Sequence, residues 1–167
     1  MGVDYMTLII GIDPGKSGGI AWQRIGHENM SAAVAVPETE YDCRLLLADF
    51  LTYDEPLIAY LEKVGASPQM GRTSAFSFGR SYGFLRGLLV GMAIRFEEVT
   101  PQKWQAEFGL RQPGKQLGKD DVTKHNAIKG KAQQFFPHLQ ITHAKAAALM
   151  ISEYGARQHR AALQATA

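Results

Sequence analysis

Apolar positions come first in short runs cut by turn residues, then in longer periodic segments. Thr7–Asp13, Gly19–Arg24 and Met30–Pro37 predict three short strands joined as a meander. The first run stops at Asp13-Pro14-Gly15, where proline supplies no ladder donor and glycine permits positive φ. Tyr41–Tyr53 carries Leu45, Leu46, Ala48, Phe50 and Leu51 at spacings that predict an amphipathic helix, ended by Pro56. Leu57–Val64 predicts a buried strand with Glu62 near its end. After a loop over Gly65–Thr73, Ser74–Ile94 predicts a long helix. Its glycines Gly79, Gly83, Gly87 and Gly91 recur every four residues on one face, a pattern that predicts close packing there. Phe96–Val99 predicts a strand, and Thr100-Pro101 an N-cap and first position of a helix running to about Phe108. Arg111–Lys119 reads as a mobile basic loop. Asp120 or Asp121 then caps a helix to Phe136, and Thr142 or His143 opens a last helix over Ala144–Arg160, with Ala161–Ala167 as a fraying tail. The sum is an α/β chain: a five-stranded mixed sheet flanked by helices.

Composition narrows the class. The 167 residues are enough for one domain with a real core, here residues 1–167. With 46% hydrophobic and 20% charged residues, the chain reads as globular rather than disordered. No apolar run is long enough for a membrane span, and the N-terminus lacks signal-peptide character. The single cysteine, Cys43, excludes an internal disulfide or a multi-cysteine zinc site. These features predict a cytoplasmic protein with no membrane partner. Net charge is only +2, but the Arg111–Lys131 segment is basic, with Lys115, Lys119, Lys124, Lys129 and Lys131 against Asp120 and Asp121. A basic segment of this kind suits a nucleic-acid backbone.

The Asp13 loop sorts the candidate chemistries. Gly15-Lys16-Ser17 looks like the end of a phosphate-binding loop, but that motif needs a glycine where Ile10 stands, and the chain continues into a strand. Sugar kinases and actin-like ATPases share the strand–Asp–hairpin opening, yet they need a second closing domain for which the length leaves little room. If the first and fourth strands are neighbours, Asp13 and Glu62 project at one sheet edge. Two carboxylates about 4–5 Å apart repel unless a divalent cation lies between them. Two such ions, held by three or four carboxylates, can clamp the oxygens of a phosphodiester. The last helix, however, opens as Thr142-His143-Ala144-Lys145-Ala146-Ala147, with no acid.

The Gly11-Ile12-Asp13-Pro14-Gly15 opening, Leu61-Glu62-Lys63-Val64, Ser77-Phe78-Gly79-Arg80, Val99-Thr100-Pro101-Gln102-Lys103-Trp104 and the final His143-to-Leu149 helix resemble the RuvC family. The resemblance is to its compact phage-borne members and covers residues 7–158. It implies a ribonuclease H-like fold and a homodimer that cuts four-way (Holliday) DNA junctions, with two Mg²⁺ or Mn²⁺ ions per active site. It also implies four acidic positions. Asp13 matches the first and Glu62 the second. The other two match Ala144 and Ala147, spaced three apart on one helix face. We read the two alanines as replacements that keep the helix and remove two metal-ligand positions. The chain as written is then expected to bind junctions and cleave them poorly or not at all. His143, beside these positions, is a helix cap or a partner to the scissile phosphate.

For DNA contacts the resemblance points to the loop after Glu62 and the start of the following helix: Met70, Arg72, Phe76 and Arg80, with Phe76 or Phe78 stacking near the crossover. Lys115, Lys119, Lys124 and Lys145 are candidate phosphate ligands, whereas Trp104 and Phe108 read as packing. Phe84, Leu88 and Met92 of the glycine-spaced helix are a candidate dimer surface or part of the core. A non-catalytic branched-DNA-binding protein is the alternative function, and a ribonuclease of RNA–DNA hybrids a third.

Overall fold

The computed structural model describes residues 6–27, 29–63, 65, 70–111 and 121–166. The chain runs β1 (Leu8–Asp13), β2 (Gly19–Arg24), β3 (Ser31–Ala35), α1 (Glu40–Phe50), β4 (Leu57–Glu62) and α2 (Arg72–Gly91). It continues through β5 (Phe96–Val99), α3 (Pro101–Glu107), α4 (Asp121–Phe135) and α5 (His143–Thr166). The strands form one mixed sheet in the order β3-β2-β1-β4-β5. β1–β2 and β2–β3 are antiparallel hairpin pairs, whereas β1–β4 and β4–β5 are parallel. This is the predicted ribonuclease H-like architecture.

Alternation along β1 divides the core between the two faces. Leu8, Ile10 and Ile12 point to the side covered by α1 and α2, where they meet Leu47, Phe50, Leu85 and Leu89. Ile9 points to the other side, packed with Ala148, Leu149, Ile151 and Tyr154 of α5 and with Trp104, Phe108 and Ile128 of α3 and α4. Helix α5 lies unusually close to the sheet. A Cβ on Gly11 would stand 2.3 Å from the Ala148 carbonyl oxygen and 2.4 Å from the Ser152 nitrogen. A Cβ on Gly155 would strike the Tyr60 ring at 2.3 Å. Arg157, farther along α5, ties this layer together. Its guanidinium lies 4.7 Å from the Phe108 ring centre and 5.2 Å from that of Phe135, and it pairs with Glu107 and Glu153.

Three helices differ from their sequence pattern. On α1 the buried stripe is Cys43, Leu47 and Phe50, spaced as i, i+4 and i+7, while Leu45 and Leu51 face solvent. The helix starts at Glu40 because the Thr39 hydroxyl accepts from the Asp42 amide. Helix α2 begins at Arg72, and among the described residues nothing stands against its glycine face: a Cβ on Gly79, Gly83, Gly87 or Gly91 would have no such neighbour within 4 Å. The buried face of α2 is Leu85 and Leu89, with Phe84, Leu88 and Met92 packed partly against the same core. Helix α5 continues to Thr166, past the expected end at Arg160, because Ala161, Ala162, Leu163, Gln164 and Ala165 all favour helix. The basic loop expected over Arg111–Lys119 lies, beyond Arg111, outside the described residues.

Two glycine substitutions should therefore act in opposite directions. Gly11→Ala forces α5 away from the sheet and should lower the unfolding free energy by about 1–3 kcal/mol. Gly83→Ala fills open space on a helix and should raise it by up to about 1 kcal/mol. Urea unfolding of the two variants beside the parent chain measures both.

Candidate active-site cleft

Asp13 and Glu62 come together through backbone register. Ile12 pairs with Leu61 in the parallel β1–β4 ladder, so the next residue of each strand ends at the same sheet edge. The β1–β2 turn keeps that edge open. Gly18 donates to the Gly15 carbonyl at 3.1 Å, and its α-carbon lies so close to Asp13 that a Cβ would stand 2.0 Å from the Asp13 carbonyl oxygen. Gly19 does the same for α5, since a Cβ there would stand 2.2 Å from the Ala144 carbonyl oxygen. The first turn of α5 is thus seated directly above the turn that follows Asp13.

The result is a cleft of about 460 Å³ with Asp13 and Glu62 at its base. One wall is Trp104 and Gln105 of α3, and a second is Lys124, His125 and Ile128 of α4. His143, Ala146 and Ala147 of α5 form the third, spaced as one helix face, with Ser17 at the hairpin. The imidazoles of His125 and His143 stand 6.3 Å apart, centre to centre. Glu62 is only 9% exposed, and its Oε1 accepts a 2.8 Å hydrogen bond from the Trp104 indole N–H.

The electrostatics follow from burial of two like charges. Desolvation pushes the Asp13 carboxyl well above the ordinary 3.8, and the neighbouring Glu62 charge and their mutual hydrogen bond push it further. Desolvation also raises Glu62, opposed by the hydrogen bonds from Trp104 and Asp13 and by the Lys124 charge. The pair therefore holds on to a proton that a solvated pair would lose. A hard divalent cation relieves the same repulsion, and these two carboxylates are oxygen donors suited to one such ion. A second ion finds no acid at the start of α5, where the cleft-facing residues are His143, Ala146 and Ala147. Among the described residues no group of three His, Cys, Asp or Glu side chains could hold a metal.

The other candidate residues distribute as follows. Ala147 and His143 face the cleft, but Ala144 does not line it; its carbonyl packs on Gly19. Lys124 lines the cleft and Lys145 is half-buried beside it in sequence. Phe76 stands 77% exposed near the start of α2, whereas the Phe78 ring lies over Gly15. Arg72 is exposed, Met70 half-buried, and Arg80 pairs with Glu40 at 3.2 Å across a groove that also holds Lys16. Lys115 and Lys119 lie outside the described residues. Trp104, Gln105, His125 and Ser17 are cleft residues that the sequence reading did not select. The Thr100-Pro101 cap gave the one available signal for Trp104, because it fixes where α3 starts relative to β5.

No protein-family model matches the sequence, and no curated protein matches it. Solved structures do resemble the fold. RuvC of Thermus thermophilus, in complex with a Holliday junction substrate, superposes with a TM-score of 0.59 at 12% identity, over 92% of this chain and 95% of that one. A second structure of Thermus thermophilus RuvC gives 0.54 at 13% identity, over 91% and 96%. The fowlpox virus resolvase with Holliday junction DNA gives 0.45 at 13% identity. At such identities the two RuvC structures establish the fold, a RuvC-like ribonuclease H arrangement.

The acid pair sets a sign for stability against pH. Asp13 binds its proton more tightly folded than unfolded, so the folded state is favoured at low pH. That advantage disappears as pH rises from the ordinary carboxyl range through the raised value. In the presence of a chelator, Asp13→Asn should flatten this decline and leave the variant more stable than the parent at pH 7. Thermal unfolding of both proteins at pH 4 and pH 7 reads the difference.

Proposed function

We propose that the chain binds four-way DNA junctions with the RuvC fold and carries a hydrolytic centre that is incomplete. The observation that carries this reading is the cleft itself: a register-paired Asp13 and Glu62 beneath the first turn of α5, whose cleft-facing positions include Ala147. The carboxylates and the surrounding cations have distinct tasks. Asp13 and Glu62 would hold one divalent ion, Mg²⁺ or Mn²⁺, whose contribution when bound is to stabilise the charge of a phosphodiester. Lys124, His125 and His143 bring donors to the phosphate oxygens from the α4 and α5 walls. Exposed Phe76 and Arg72, at the start of α2, offer a stacking surface and a phosphate contact. A homodimer would present two such clefts to the two strands of a symmetric junction.

A nuclease active on the same substrate would need the missing acid. Ala147 is the better-supported of the two positions for that acid, because it is a lining residue of the cleft and Ala144 is not. The alternative is a protein that binds branched DNA and never cuts it. It shares every feature of the cleft and differs only in what restoring an acid would do.

Labelled four-way junction and linear duplex of equal length should separate these readings. The chain as written should shift the junction at lower protein concentration than the duplex, and should leave both uncut in Mg²⁺ and in Mn²⁺. Ala147→Asp should introduce paired nicks near the crossover, and Ala144→Asp alone should not. Tight junction binding with no nicks from Ala147→Asp, alone or with Ala144→Asp, identifies a branch-binding module. Equal binding to junction and duplex removes the junction reading altogether. Lys124→Ala should weaken junction binding and lower the slope of log affinity against log salt by about one.

A further inference from the structure

Trp104 is 1% exposed and sits in the apolar cluster beneath α5. A site that needed only packing volume could be filled by phenylalanine or leucine. An indole brings an N–H that must find an acceptor once buried. Here the acceptor is the side chain of Glu62, at 2.8 Å, in the base of the cleft. The bond is fixed by backbone geometry on both sides. Glu62 pairs with Val99 across the β4–β5 ladder, and the Lys63 amide extends that ladder to the Val99 carbonyl at 2.7 Å. Thr100 then caps α3 by accepting from the Lys103 amide, with Pro101 in its first turn. Trp104 follows one turn into a helix whose start is therefore pinned to the strand beside Glu62.

We infer that Trp104 is a positioning residue for the carboxylate pair. Its indole N–H holds Glu62 from the α3 side while Asp13 meets it from β1, so that the two carboxylates converge on one point of the cleft. Glu62 ends its strand at the base of the cleft, where its other polar neighbours are Asp13, which shares a hydrogen bond with it, and the Lys124 charge. Without the indole, its carboxylate is free to rotate away from Asp13, and the donor set for a hard cation is no longer preformed. Outer partners of this kind typically change metal affinity by about 10–100-fold when removed. The inference rests on the reading of the cleft as a metal-dependent centre.

The test uses the full chain and Mn²⁺ alone, with affinity measured by electron paramagnetic resonance. Trp104→Phe keeps the ring and deletes the donor; it should weaken Mn²⁺ binding about tenfold or more. Trp22→Phe, whose ring packs on Phe50 away from the cleft, should leave the affinity unchanged, and Asp13→Asn should abolish binding. Equal Mn²⁺ affinity in the parent and Trp104→Phe overturns the positioning role while leaving the metal reading intact. If the parent binds no Mn²⁺, the metal reading fails and the inference falls with it. Should Trp104→Phe not fold, the indole resonances of the chain's two tryptophans decide. Glu62→Gln should move the Trp104 N–H resonance and leave that of Trp22 in place, and an unmoved Trp104 resonance overturns the inference.

Discussion

The close seating of α5 on the sheet is the constraint from which the cleft follows. Gly11 and Gly19 let the α5 backbone approach β1 and β2 at distances no side chain would permit, and Gly155 makes room for the Tyr60 ring. Because Gly19 touches the Ala144 carbonyl, the first turn of α5 cannot slide along the strand. Among the residues of that turn, His143, Ala146 and Ala147 line the cleft, while the Ala144 carbonyl rests on β2 at Gly19. A single missing Cβ on a strand thus governs the chemistry available on a helix.

The acid pair occupies the place where the sheet changes character. β1 has an antiparallel neighbour on one side and a parallel neighbour on the other. The connection after β1 turns back tightly into β2, while the chain after β4 leaves toward α2. The cleft lies at the carboxyl ends of these strands, where open α/β sheets commonly place their binding sites. Burial makes this crevice costly for two carboxylates and raises the affinity of Asp13 for a proton. Lys124 offsets part of it from the α4 wall.

Much of this was legible in the sequence. Short apolar runs ended by Pro14 and Pro37 gave two of the strands, Pro56 separated α1 from β4, and Thr100-Pro101 gave the start of α3, because these residues act through local backbone chemistry. The faces of helices were less legible. On α1, Leu45 and Leu51 are as apolar as Leu47, and only the sheet's position makes Leu47 the buried one. The glycines of α2 do share a face, but spacing says nothing about what stands opposite, and among the described residues nothing does. The β1–β4 adjacency behind the Asp13–Glu62 pair could be reasoned from topology. The indole bond to Glu62 could not, since it joins residues 42 apart in sequence through a ladder register that no local pattern encodes. Ala144 and Ala147 show the same limit more finely: sequence similarity treats them alike, and only Ala147 is a lining residue of the cleft.

Arg157 bears on the same question from below the cleft. Its guanidinium lies against both Phe108, at the end of α3, and Phe135, at the end of α4, two rings packed edge-to-face on each other, and it pairs with Glu107 of α3. Those are the helices that supply the Trp104 and the Lys124–His125 walls. One side chain on α5 therefore acts as a common hinge-pin for both jaws around the acid pair. Their spacing is held in part by this half-exposed cluster at the far ends of α3 and α4, so the width of the cleft depends on packing outside the cleft as well as on the residues that line it.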